Sequence, residues 1–362
     1  MKNRFAVLQC RAIHNAALAL GVVCMLGLAL PAKAQGAKLV TFDVPGSACE
    51  VAFITCTVVN AINPGGVVVG TYDDANGATH GYLRAADGTF TKFDVPGSFC
   101  TSFNGVLTSC ASPTGVNPGG ETTGFYTDVN GLPHGFLRGP DGTFTAFDAA
   151  GALFGTSPSG ISAAGVVTGN FLDANFVAHG FVRARHGATT TFDVPSALGT
   201  LPSAITPNGS IVGNYLDSNF AQHGFVRTRD GHITTFDPPG SIFTQANGIN
   251  PAGTIVGSYQ DADLVQHGFL RARDGSVSTF DFPGGAGTAI AGINPAGAIA
   301  GSYGNVSANA LDGFVRSASG DLTSFAPPES FATFVAGTNP AGVTAGTYID
   351  KGFLEHGFLR IP

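Results

Sequence analysis

The 362-residue chain has 52 glycines, 29 phenylalanines and no tryptophan, with 11% of its residues charged and 44% hydrophobic. A charged fraction below half the usual ~25%, with glycine at about twice its usual share, excludes a coiled coil and a charge-driven disordered tail. The formal net charge of −7 argues against a polyanionic partner, because nucleic-acid binding runs on clustered Lys and Arg.

The N-terminal segment reads as an export signal. Lys2, Arg4 and Arg11 precede an apolar run from Ala16 to Leu30, and Ala32-Lys33-Ala34 places small residues where a signal peptidase reads them, which predicts cleavage after Ala34. The run is shorter than the ~20 residues a bilayer crossing needs. Cys24 follows Val22-Val23, a poor context for lipid attachment. No membrane span is expected, and the product is expected to be secreted or periplasmic. Removing residues 1–34 leaves 13 cations against 24 acids, a net charge of −11, so no nucleic-acid partner is expected.

Four cysteines then remain, as Cys49 with Cys56 and Cys100 with Cys110. An even count in an exported chain favours disulfides. Each pair falls between a Phe-Asp-Val-Pro-Gly turn and the next Asn-Pro-Gly turn, so each is expected to staple its own loop, although three pairings are open. Spacings of seven and ten match no common zinc pattern.

Self-similarity governs the rest of the chain. A histidine-glycine-aromatic motif begins at His80, His134, His179, His223, His267 and His356, with a degenerate copy, Asp312-Gly313-Phe314, before the last. The intervals are 54, 45, 44, 44, 45 and 44 residues, and the long one holds Cys100 and Cys110. Each repeat reads as four short strands. In one, the first strand ends near Asn250-Pro251, the second is Thr254 to Tyr259, the third is His267 to Arg271 and the fourth is Val277 to Phe280. Gly, Pro and Asp bound these β-branched and aromatic runs. Asp274-Gly275 is expected to form a two-residue hairpin turn. That register would set Phe269 opposite Phe280, Tyr82 opposite Phe93 and Phe181 opposite Phe192, as stabilising cross-strand pairs.

The sequence from Val40 to Gly46 is a fourth-strand sequence, and the chain ends on a third-strand one, His356 to Arg360. Pairing the two would complete the last repeat and conceal both edges. The expected fold class is therefore all-β, a seven-bladed β-propeller of four-stranded blades forming one domain over residues 35–362.

The periodicity, the histidine-glycine-phenylalanine motif and the pattern Gly248-Ile249-Asn250-x-x-Gly253-x-Ile255-Val256-Gly257 resemble the bacterial extracellular HAF repeat family. The likeness covers nearly all of residues 38–362. Glycine stands where the family name has alanine. Arginine (Arg84, Arg138, Arg183, Arg227, Arg271, Arg316, Arg360) stands where an aromatic often does. The resemblance implies an exported repeat protein and carries over no activity.

The recurrent histidines are the candidate chemistry. Asp74/His80, Asp128/His134, Asp173/His179, Asp217/His223, Asp261/His267 and Asp350/His356 each lie six residues apart, and in the remaining repeat both change, to Asn305 and Asp312. The joint departure predicts that the two side chains meet, the carboxylate fixing the imidazole tautomer. Repetition favours a structural role, because a catalytic apparatus normally occurs once per site, and a metal shared between blades would need ligands at ~2 Å. The loop starts such as Asp74-Ala75-Asn76 echo a calcium loop but lack its later Gly and Glu, and turn-forming Asx residues explain the spacing as well. No cofactor is expected, calcium being the alternative. The Asp that follows the fourth-strand Phe (Asp94, Asp281) is expected to oppose the motif glycine and face away from the arginines, which would bond blade backbone or a neighbouring blade. No nucleophile elbow, zinc-protease helix or phosphate loop is present.

These features predict an exported, non-enzymatic binding or scaffold protein. An unidentified protein or glycan would dock where the insertion of residues 95–116 and the cysteine loop of residues 46–60 break the symmetry. A polysaccharide lyase or hydrolase using loop carboxylates is the alternative, and an envelope or matrix protein a third.

Overall fold

A computed structural model describes residues 36–48, 56–100 and 109–362. The expected export signal, residues 1–34, lies outside them, as does Cys49. Among the described residues every regular element is a strand, 28 in all, and no helix is long and apolar enough to cross a membrane.

The strands assemble into four-stranded antiparallel sets. In the set formed by Phe243–Ile249, Ile255–Gln260, Gln266–Arg271 and Val277–Phe280, each strand pairs with the next in chain order. Elsewhere two sets meet through a single parallel pairing, as at Ala178 with Gly199 and Leu311 with Ala332. The buried centre of a set is the aromatic of its motif: Tyr82, Phe136, Phe181, Phe225, Phe269, Phe314 and Phe358 are all fully buried. Burying a Phe side chain contributes roughly 1.5–3 kcal/mol, so this position anchors each sheet.

The hairpin between third and fourth strands differs from the expected one. Arg271 opposes Val277, Phe269 opposes Thr279, and Phe280 opposes Gly268, not Phe269. Arg84 with Phe90 and Gly81 with Phe93, and Gly180 with Phe192, show the same one-residue shift. The cause is the turn. Gly275 donates to the carbonyl of Ala272, Ala272 donates to that of Ser276, and Gly275 takes φ +93°. The loop thus has three residues, Arg273-Asp274-Gly275, with glycine in the left-handed position, not two residues in a type I′ turn. Asp274 Oδ1 accepts from the Ser276 N–H at 2.9 Å and holds the loop.

This register explains the motif glycine. A Cβ on Gly180 would lie 2.8 Å from the Phe192 ring, and one on Gly357 would lie 2.4 Å from the Phe42 ring. The fourth-strand ring packs directly against its glycine neighbour, and any larger residue would displace it.

Consecutive sets are joined by a repeated hydrogen bond. The second-strand side chain of one set accepts from a first-strand N–H of the next, as Asn214 Oδ1 does from Ala246 (2.7 Å) and Ser258 Oγ from Ile290 (2.8 Å). A bulge follows in the first strand, turning Asn247 so that its amide donates to the Ile290 carbonyl of the neighbour at 2.6 Å. The same bond links the two ends of the described chain, Val59 N–H donating to Thr347 Oγ1 at 2.9 Å. Lys38–Phe42 pairs antiparallel with Glu355–Ile361, Phe42 opposite Gly357. Val59, Val68, Tyr82, Ala345 and Leu359 share one buried cluster.

The arginines lock neighbouring sets together. Arg271 lies 4.9 Å over the Phe236 ring of the preceding set, and Arg183 lies 4.7 Å over Phe147. The Nε atoms of Arg183 and Arg271 are buried without a hydrogen-bond partner, and the ring faces offset part of that burial, each contact worth about 0.5–2 kcal/mol.

Candidate functional site

The strand ends set the site. In six of the sets, second and third strands meet at one end through a loop opened by Asp, His stands near the start of the third strand there, and Asp follows the fourth. Asp261 Oδ1 accepts from the N–H groups of Asp263 (3.0 Å) and Val265 (2.9 Å), an Asx turn that fixes the loop. Its Oδ2 lies 3.2 Å from His267 Nε2. Because the register brings His267 opposite Asp281, Nδ1 meets that carboxylate at 2.9 Å. The imidazole also stacks on Tyr259, its second-strand neighbour, with ring centroids 5.0 Å apart.

The expected Asp/His pairs are accordingly halves of larger units. The six-residue partners lie 3.5 Å apart at Asp74/His80 and Asp128/His134, and 3.6 Å apart at Asp173/His179, Asp217/His223 and Asp350/His356. The second carboxylate is nearer, at 2.7 to 3.0 Å: Asp94 for His80, Asp148 for His134, Asp193 for His179, Asp237 for His223 and Asp43 for His356. Sequence reasoning missed it through the misplaced register, which pointed Asp94 and Asp281 away from the histidine. A constant spacing of 14 residues to the following Asp carried the signal. In the degenerate set all three members change: Asn305 donates to Asp312 at 2.7 Å, and Ala326 stands where the second Asp would be.

Flanking carboxylates set the ionisation. Burial by itself would lower the imidazoles of His179, His223 and His267. The hydrogen bonds and charges of their two aspartates outweigh it and raise them. Asp173 and Asp217 are held below the ordinary carboxylate range, chiefly by backbone N–H donors and then by the Asn175 and Asn219 side chains and their histidines. Asp261 is lowered chiefly by His267 itself. With both ring nitrogens directed at carboxylates, these histidines are placed to act as imidazolium clamps between three strands.

Charge is segregated as a result. The carboxylates paired with histidine gather at one end of the sets, where the connections carrying the cysteines also lie, while the arginines, with the exposed Arg185, Arg229 and Arg273, lie at the opposite end beside the turn aspartates Asp87, Asp141, Asp230, Asp274 and Asp321. The lysines near the acidic end are engaged: Lys351 pairs with Glu329 at 2.6 Å, and Lys92 donates to the Pro45 carbonyl at 3.1 Å.

Cys100 and Cys110 form a disulfide, Cα atoms 4.9 Å apart. Cys110 N–H donates to Thr79 O, and Phe99 N–H donates to Thr127 O, each at 2.8 Å. The insertion is therefore tied to two neighbouring sets, although its residues 101–108 lie outside the described ones. His80, Asp94 and Cys110 place donor atoms within 4.8 Å of one another, with the Cys110 sulfur held in the disulfide. Cys56 is fully buried, and its expected partner Cys49 is not among the described residues.

One carboxyl stands apart from the repeat. Glu355 has a buried Oε2 with no hydrogen-bond partner, and burial, then the charge of Asp73, raises its pKa above the ordinary range. It opens the last strand, where its carbonyl accepts from Thr57 N–H at 3.2 Å.

No protein-family model matches the sequence, and no curated protein matches it. Solved structures do match its fold. The β-propeller domain of the trilobed protease from Pyrococcus furiosus is 8% identical, with 84% of this chain and 95% of that one covered and a TM-score of 0.60. A streptogramin B lyase is 15% identical over 90% of this chain and 98% of that one, at 0.56. A lectin from Burkholderia pseudomallei is 12% identical over 84% and 98%, at 0.51. Four-stranded antiparallel sets throughout, together with these likenesses, identify the fold of this chain as a β-propeller.

Proposed function

We propose that the protein is an exported, non-enzymatic propeller, related to HAF repeat proteins, that docks a protein or glycan on its acidic face. In this reading it is one domain of seven blades, and Lys38–Phe42 completes the last of them. The recurring 44- and 45-residue intervals and the Val59–Thr347 bond between first and last sets support the closed wheel. The observation that carries the function is how the histidines are used. Both nitrogens of each face carboxylates of its own set, six times over, which suits a frame and leaves recognition to the irregular connections. The disulfide-held insertion is the largest of these, and loops on a rigid frame are the usual seat of binding.

Glycan-array and protein-capture profiles of the protein and of C100S/C110S test this reading. Capture weakened in the variant, with the fold largely intact, is the expected result; equal capture overturns the docking site. A lyase or hydrolase is the second reading, favoured by Glu355, whose raised pKa suits a proton donor. New reducing ends or unsaturated sugars released from a bound glycan, and lost in E355Q, would select it.

A further inference from the structure

The loops between second and third strands share one position with left-handed backbone. Gly77 (φ +76°), Gly131 (φ +79°) and Asn309 (φ +48°) occupy it in three sets, residue types that tolerate this conformation. In the other four sets the same position holds Phe176, Phe220, Leu264 and Phe353, at φ +62° to +64°. Large side chains there are strained, and folding alone favours glycine. Nor does burial compensate: these four side chains are 54%, 76%, 66% and 60% exposed.

All four open from the loops at the acidic end, and two of them meet a further exposed or half-buried aromatic. Phe176 stacks on Phe154 with ring centroids 4.0 Å apart, and Phe353 meets Phe331 at 5.8 Å. Three of the four follow one another at intervals of 44 residues, so they mark an arc of neighbouring blades. The set carrying Asn309 separates Phe353 from this arc, and the sets carrying Gly77 and Gly131, next to the cysteine connections, lie on its other side. A cluster of exposed apolar groups of this kind marks an interaction surface.

Resting on the docking reading above, we propose that this arc binds a cationic amphipathic segment of a partner polypeptide. The Phe and Leu side chains receive its apolar face, and the carboxylates between them receive its Lys and Arg. The outer carboxylates are open to such contact, the side chains of Asp193 and Asp281 being 46% and 51% exposed. An anionic lipid surface or nucleic acid would meet repulsion here, and a neutral glycan would leave the carboxylates unused.

Calorimetric titration of the protein with a synthetic amphipathic peptide of leucine and lysine tests the proposal. Two control peptides replace lysine by glutamate, or leucine by serine. The leucine–lysine peptide is expected to bind, more weakly as salt rises, and both controls to bind at least about tenfold more weakly. The variant F176G/F220G/L264G/F353G is expected to lose affinity at least about tenfold, with a melting temperature equal to or above that of the parent. Equal affinity in the variant, equal binding of the leucine–glutamate peptide, or a clearly lowered melting temperature would overturn the proposal. If the peptide fails to bind while capture sensitive to C100S/C110S persists, the proposal is overturned and the docking reading stands; if both fail, the docking reading falls with it.

Discussion

The guanidinium of Arg84 lies 4.8 Å above the ring of Phe42, across a separation of 42 residues that spans the join between the first and last sets of strands. Arg271 over Phe236 and Arg227 over Phe192 repeat the contact between consecutive sets at 4.9 and 4.8 Å. Phe42 also covers Gly357 and meets Phe90 at 5.9 Å.

F42A is therefore expected to destabilise the protein by about 3 kcal/mol, the usual range for losing a packed Phe. F192A and F236A should cost about the same. Chemical denaturation of the three variants checks this. A loss from F42A far smaller than the other two would show that the N-terminal strand contributes little to the joint.

G180A is expected to cost about 2 kcal/mol, because its methyl group would lie 2.8 Å from the Phe192 ring, inside van der Waals contact. The effect should be non-additive. In F192A the ring is gone, so adding G180A should cost less than about 0.5 kcal/mol more, and a double-mutant cycle measures the difference.

Stability should peak in mild acid. The imidazoles of His179, His223 and His267 are raised from the ordinary 6.5, so their contribution is complete below pH 6.5 and is lost as pH rises through the folded values. Asp173, Asp217 and Asp261 are lowered from 3.8. Their contribution is present above pH 3.8 and is lost as pH falls through the folded values. The melting temperature is expected to be highest between about pH 4 and 6.5 and to decline above it. H179Q/H223Q/H267Q should flatten the alkaline decline, and a decline unchanged in that variant would assign it to other groups.

Glu355 acts in the opposite sense to the aspartates. Its pKa is raised from 4.5, so the folded state disfavours its ionised form, and stability falls as pH rises from 4.5 through the folded value. E355Q is expected to raise the melting temperature at neutral pH, with the gain vanishing near pH 4. Melting curves of both proteins across this range are the measurement.

Periodicity made the four-stranded units and the antiparallel pairing of Phe42 with the last strand legible, because spacing and alternation survive without knowledge of any turn. The hairpin register did not, since Asp-Gly serves both a two-residue turn and a three-residue loop, and only the loop's hydrogen bonds separate them. From that single residue followed the missed carboxylates, Asp94 and Asp281 among them, and the missed cover over the motif glycine. The four exposed apolar residues escaped for another reason: nothing in Asp-Ala-Asn-Phe announces that the Phe adopts the backbone of a glycine.

The pairing of Asp43 with His356 bridges 313 residues, and this has a kinetic consequence. Lys38–Phe42 pairs with Glu355–Ile361, so until that strand is made it is expected to remain an open, β-prone edge while the sets between them assemble locally. Of the pairings described, this one closes the longest stretch of chain, so it is expected to carry the largest loop-closure entropy. A truncation of only the final few residues should accordingly leave the intermediate sheets formed but the molecule prone to pairing with its own copies.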